Sequence, residues 1–159
     1  TTAQLVMGDA LAVCLLKLRG FSATDFANYH PGGSLGKKMY MRVHDLSSKN
    51  DAPAVDINES ITNVIIEISS KRLGTTAVID DGKMIGVITD GDLRRMIENH
   101  DDYKHLTAKD IMTKEPLSIE KDSLIVNALS LMRENNITQL PVMDGDNYSG
   151  VIHLHDFLM

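Results

Sequence analysis

The sequence predicts an α+β fold in which one strand-helix-strand-strand-helix unit is written twice, with a helical segment in front. Three observations carry this. First, Thr75 to Met96 holds an apolar run (Ala77, Val78, Ile79), a turn (Asp80, Asp81, Gly82), a second apolar run (Ile85 to Ile88) and Thr89-Asp90-Gly91-Asp92 opening an amphipathic segment. That order reads as strand, hairpin, strand, helix. Second, a degraded copy follows downstream as Leu140, Pro141, Val142, Asp144, Gly145, Gly150, Val151, Ile152 and Asp156. Third, Asp45 with Asp110, Ser60 with Ser123, Gly82 with Gly145 and Gly86 with Gly150 keep an offset of about 64 residues, the mark of an internal repeat.

Each element has its own signal. Residues 1 to about 20 form a helix with Leu5, Val6, Leu11, Val13, Cys14, Leu15 and Leu18 spread over more than half its circumference, ended by Gly20 after Lys17 and Arg19. Such a helix needs partners on several sides. The opening Thr1-Thr2-Ala3-Gln4 carries no initiator Met, and little before residue 45 supplies those partners. The expectation is a fragment of a larger protein. Ser22 and Asp25 have capping-box spacing and start a short helix toward Tyr29, which breaks at His30-Pro31-Gly32-Gly33. In that loop two glycines allow close backbone approach to a ligand and Ser34 can cap the next helix, although a tight turn before a helix explains the same residues.

Within the repeats, Ile61, Val64, Ile65 and Ile68 mark a helix in the first copy, and Leu124, Ala128, Leu131 and Met132 mark one in the second. Gly74 and Asn136 are the expected stops, since both tolerate left-handed backbone. The last helix of the second copy is reached only as Asp156-Phe157-Leu158-Met159. A unit of this size has too little core to stand alone, so the two copies should pack together. The partition is residues 1–42 as a helical segment, 43–99 as the first repeat, 100–109 as a polar connector and 110–159 as the second repeat.

Composition narrows the function. With 159 residues, 43% hydrophobic and 24% charged, the chain can fill one or two small cores. A net charge of −6, with no basic run longer than Lys37-Lys38 or Arg94-Arg95, disfavours nucleic acid as a partner. The stretch Ala10 to Leu16 is too short to span a bilayer, so no membrane partner is expected. The single Cys14 cannot form an intrachain disulfide, which suits a reducing cytoplasm and the role of a buried packing residue.

The doubled unit, with Gly86-Val87-Ile88-Thr89-Asp90-Gly91-Asp92-Leu93 and Gly150-Val151-Ile152-His153-Leu154-His155-Asp156-Phe157, resembles a cystathionine-β-synthase (CBS) domain pair over roughly residues 43 to 159. The segment Gly8-Asp9-Ala10-Leu11-Ala12, Gly20-Phe21-Ser22 and His30-Pro31-Gly32-Gly33-Ser34-Leu35-Gly36 is similar to the C-terminal end of the α/β sugar isomerase (SIS) domain of D-arabinose 5-phosphate isomerases. That resemblance implies a parent enzyme interconverting D-ribulose 5-phosphate and D-arabinose 5-phosphate for Kdo and lipopolysaccharide or capsule synthesis. His30 would be its catalytic histidine, a group able to shuttle a proton near neutral pH. The loops that bind the sugar phosphate in SIS domains are absent, so this piece alone is expected to be inactive.

By the same resemblance the pair is a regulatory module whose nucleotide-binding residues are Thr89 and Asp92 in the first copy and His153 and Asp156 in the second. The acids would hold ribose hydroxyls and Thr89 would stand at the phosphate end. A helix N-terminus favours phosphate, yet Thr89 and Asp92 equally satisfy a capping box with no ligand. Both readings stand on the sequence. The second copy departs from the pattern at His153 and His155, which leaves its half-site either fitted to another ligand or vestigial. Candidate ligands are CMP-Kdo, AMP or another nucleotide or nucleotide sugar, with no required cofactor and self-association as a dimer or tetramer. His153 and His155 with Asp156 do not make a zinc site, so no metal is assigned. Arg94 and Arg95 read as a solvated helix face, and the methionines as core filling or an adaptable surface. The rival functions are a ligand-free dimerisation module of the same enzyme and a standalone adenylate sensor.

Overall fold

The structure is a computed structural model and describes residues 1–22, 25, 40–100 and 102–158. It divides into two units, Thr1–Met41 and Arg42–Met159.

In the first unit, α1 (Thr2–Leu18) ends at Arg19, and Gly20 takes φ +61°. None of its residues is buried, and Leu5, Val6, Met7, Leu11 and Leu18 are all more than half exposed. Cys14 is exposed as well, against the expectation of a packing cysteine, because α1 meets no apolar surface within its unit. The Ser22–Asp25 capping contact forms, with the Asp25 carboxylate accepting from Ser22 N at 2.8 Å and Ser22 Oγ at 2.6 Å. The helix toward Tyr29 and the His30 to Lys38 loop lie outside the described residues.

The second unit holds the duplication. Its first half runs α2 (Val43–Ser47), β1 (Ala54–Asp56), α3 (Ile61–Lys71), β2 (Thr75–Asp80), β3 (Lys83–Thr89) and α4 (Asp90–Asn99). Its second half runs α5 (Ala108–Ile111), β4 (Thr113–Lys114), β5 (Ile119–Glu120), α6 (Ile125–Glu134), β6 (Gln139–Asp144), β7 (Asn147–His153) and a 3-10 turn, Leu154–Leu158. One sheet has the order β1-β2-β3-β4 and the other β5-β6-β7. In both, the first strand pairs parallel with the second and the second antiparallel with the third. Even the irregularities repeat, with a bulge between Val78 and Ile79 and another between Val142 and Met143.

Local chemistry explains the elements. The first hairpin turns at Asp81-Gly82, both at positive φ as a type I′ turn needs, whereas the second turns at Gly145 with positive φ at its first central residue. Helix α3 starts at Ser60, whose hydroxyl accepts from Asn63 N, and stops with Arg72 at φ 57°, two residues before Gly74. Helix α6 starts one residue later than the Ser60–Ser123 match implies. Leu124 is its N-cap without a side-chain bond, and Ile125, Ala128 and Met132 face inward.

The core is shared in a way that the repeat boundaries hide. Val55, Val64, Ile68, Val78 and Ile88 form one buried cluster, and Ala108 from α5 completes it with Ile111 and Met112 packed alongside. The leading segment of the second repeat therefore sits on the first, where β4 also pairs with β3. The reverse holds too. Val43 N and His44 N donate to Ser123 O and Lys121 O at 2.9 Å, while Ala108 N and Lys109 N donate to Glu59 O and Ile57 O at 2.9 and 3.0 Å. Residues 108 and 109, placed in the connector by sequence, are thus built into the first repeat's core and edge.

Candidate functional site

The first repeat and the edge of the second enclose a cleft of about 690 Å³. Its floor is the junction where β3 hands over to α4. Thr89 ends the strand and caps the helix, its hydroxyl accepting from Asp92 N at 3.3 Å. Asp92 is only 7% exposed. Its Oδ2 accepts from Thr89 N at 2.8 Å and Thr89 Oγ1 at 2.7 Å, and its Oδ1 accepts from Arg95 Nη2 and, at 3.5 Å, from Thr113 Oγ1. The capping box is therefore real, and the acid is fully engaged within the chain.

What remains open is the first turn of α4. Asp90 N donates to Gly74 O at 3.1 Å and Asp92 N to Thr89, so the Gly91 N–H is the donor of that turn with no acceptor among the described residues. Gly91 lines the cleft, and a Cβ there would stand 3.4 Å from both Thr89 Oγ1 and Arg95 Nη1. Arg94 and Arg95 also line it while staying exposed, in keeping with their reading as a solvated face. Arg95 is tied to Asp92, whereas Arg94 makes no ion pair among the described residues. An unpaired N–H at a helix start beside a free guanidinium is a setting for an anion.

The walls came from outside the sequence motif. Thr75 and Gly74 lie on one side, Thr138, Gln139 and Pro141 on the other, and Glu115-Pro116-Leu117 close an end. Thr75 is buried and spends its hydroxyl on Ile88 O at 3.0 Å. Glu115 adopts φ 49°, unusual for a non-glycine residue. The available signal was the repeat itself, because Thr75 and Gln139 are the same position in the two copies.

Of the sequence candidates, Thr89 and Asp92 meet in this cleft, and His153 and Asp156 are not among its lining residues. Asp156 Oδ2 accepts from His153 N at 2.7 Å and from Asn50 Nδ2 at 2.8 Å. His153 Nδ1 accepts from His155 N at 3.1 Å, and the two imidazoles meet edge to face at 4.6 Å. Burial, with the neighbouring His155, holds the His153 imidazole below its ordinary pKa and keeps it neutral, against the opposing pull of Asp156. A neutral ring is what an accepting Nδ1 requires. His30 lies outside the described residues. Among the described residues no cluster of three or more His, Cys, Asp or Glu side chains is placed to hold a metal ion, and no helix is long and apolar enough to cross a membrane.

The family model for the CBS domain matches this chain twice, over residues 43–99 and 108–159. The chain belongs to the CBS-domain family. As a CBS pair it is similar to the arabinose 5-phosphate isomerase KdsD of Escherichia coli K12, at 48% identity over 99% of this chain and 49% of the relative. It is similar also to KdsD of Francisella tularensis, at 42% identity over the same shares. The chain thus spans about half the length of these relatives. Among solved structures, the CBS-domain containing protein ATU1752 from Agrobacterium tumefaciens matches with TM-score 0.67 and 21% identity, over 74% of this chain and 97% of that one. A CBS domain pair in complex with 5′-methylthioadenosine and S-adenosyl-L-methionine matches with TM-score 0.66 and 21% identity, over 75% and 94%. These likenesses establish the fold.

Proposed function

We propose that this chain is the regulatory, nucleotide-binding CBS pair of an arabinose 5-phosphate isomerase, the aldose-ketose isomerase that supplies Kdo synthesis in the cytoplasm. The observation that carries it is the cleft at the start of α4, where the Gly91 N–H and Arg94 lack partners beside Thr89 and Asp92. The ligand's phosphate sits on the Gly91 N–H, beside Thr89, with Arg94 as counter-ion. Its ribose hydroxyls turn to Asp92 Oδ1, displacing the exposed Arg95. The 48% identity to a KdsD supports the parent activity, with His30 as its catalytic histidine. A CBS pair of similar fold crystallised with adenosine compounds supports the ligand class. CMP-Kdo and AMP are the first candidates.

Isothermal titration with AMP, ATP, CMP and CMP-Kdo tests the reading. Saturable binding by one of them, weakened at least tenfold in Asp92→Asn, is the expected result. Silence from all four with the fold intact would overturn it. A second reading has its own support, since the Asp92 carboxylate is already satisfied by Thr89 and Arg95. On that reading the acid only caps α4 and the pair is a dimerisation module, which the same silence would favour.

A further inference from the structure

We propose that the pair takes one nucleotide per chain, because the half-site of the second repeat is closed by its own side chains. This rests on the nucleotide reading above and fixes its stoichiometry. The two half-sites are built on equivalent backbones. Leu154 N donates to Thr138 O at 2.8 Å as Asp90 N donates to Gly74 O at 3.1 Å, and His153 N reaches Asp156 as Thr89 N reaches Asp92. The groups that would meet a ligand differ at every point. The free donor of the first copy is Gly91 N, whereas its counterpart, His155 N, is spent on His153 Nδ1. Where Gly91 has no side chain, the second copy carries the His155 imidazole, set edge to face against His153.

The acids are held by different partners. Asp92 is held by Arg95, an exposed side chain on its own helix that can swing away. Asp156 is held by Asn50, whose amide also donates to Val151 O at 3.1 Å. Asn50 belongs to the leading segment that docks on the second repeat, and Tyr148 ties that same segment down by donating to Pro53 O at 3.0 Å. Both bonds to Asp156 fall on Oδ2, so the closure of this half-site rests on the spent His155 N–H and the His155 imidazole rather than on the acid.

The test is titration of the intact chain with AMP and CMP, read for stoichiometry, together with amide NMR shifts. One equivalent per chain is expected, with the Gly91 amide shifted and the His155 amide unmoved. Asp92→Asn should lose all binding and not half of it. Two equivalents in the unmodified chain, a His155 shift matching that of Gly91, or one equivalent surviving in Asp92→Asn would overturn the single site while leaving the nucleotide reading standing. Absence of any binding would overturn both. If Asp92→Asn does not fold, stoichiometry and the two amides in the unmodified chain decide the matter.

Discussion

The two repeats have nearly the same backbone and differ in the polar groups just after their last strand. The first closes with a capped ten-residue α-helix, Asp90–Asn99, whose first turn keeps an unused donor. At the same place the second has the 3-10 turn Leu154–Leu158, where the His155 N–H is spent on His153 Nδ1. At the turn itself the copies differ by His153 for Thr89, Leu154 for Asp90 and His155 for Gly91. A duplicated frame can thus keep its packing while one copy gives up its open polar groups.

The strongest way to break the comparison is through the cores. Ile88 and Ile152 are equivalent and each 0% exposed. Ile88→Ala and Ile152→Ala should each cost about 2–5 kcal/mol by urea denaturation. Values differing by more than twofold would mean that the two cores are not energetically equivalent.

The paired glycines sharpen it next. A Cβ on Gly86 would stand 2.8 Å from Met112 Sδ and Thr113 O, whereas one on Gly150 has only Ala52 Cβ at 3.8 Å but sits at φ +143°. Gly86→Ala and Gly150→Ala should each cost roughly 1–3 kcal/mol, the first by overpacking and the second by backbone strain. Trimming Met112 should recover part of the first loss. Trimming Ala52 should recover none of the second.

At the helix starts the effects shrink. Thr89→Ala removes the α4 cap and should cost about 1 kcal/mol in thermal melts. His153→Ala should cost less, because the His153 side chain only accepts from His155 N. A larger loss at His153 would show that the second ending is the more structural of the two.

Smallest is the pH dependence specific to the second copy. His153 has a folded pKa below its ordinary 6.5, chiefly through burial. The unfolded chain then binds the proton first, so stability is retained above pH 6.5 and falls as pH drops from there to the folded value. His153→Gln should flatten that part of a stability-versus-pH curve. An unchanged slope would assign it to other histidines.

Much of this was legible in the sequence, for reasons that can be named. The hairpins, the Thr89–Asp92 capping box and the fixed offset are encoded within a few residues, and each reappears in space. Failures came where the deciding partner is distant in sequence. Leu124 looked like the first inward residue of its helix, but the docked Arg42 backbone pairs with Leu124 and moves the helical face to Ile125. Ala108 looked like linker because the strands it packs on precede it by 20 residues or more. That Arg94 borders a cleft was hidden because part of the lining comes from the other repeat. Asn50 carried no signal at all, being one polar residue in a polar loop until Asp156 is brought to it.

The exchange of leading segments also sets an order of events on the ribosome. Val43 waits for Ser123 and Asn50 for Asp156, a partner 106 residues further along the chain. Translation adds about 5–20 residues per second, so α2 spends several seconds without its acceptors while the first repeat's strands are already available. The first repeat, for its part, lacks Ala108 and β4 until the second has begun to emerge. The first repeat can close once Ala108 and β4 have emerged, whereas α2 and Asn50 dock only after the second repeat and Asp156 have left the tunnel.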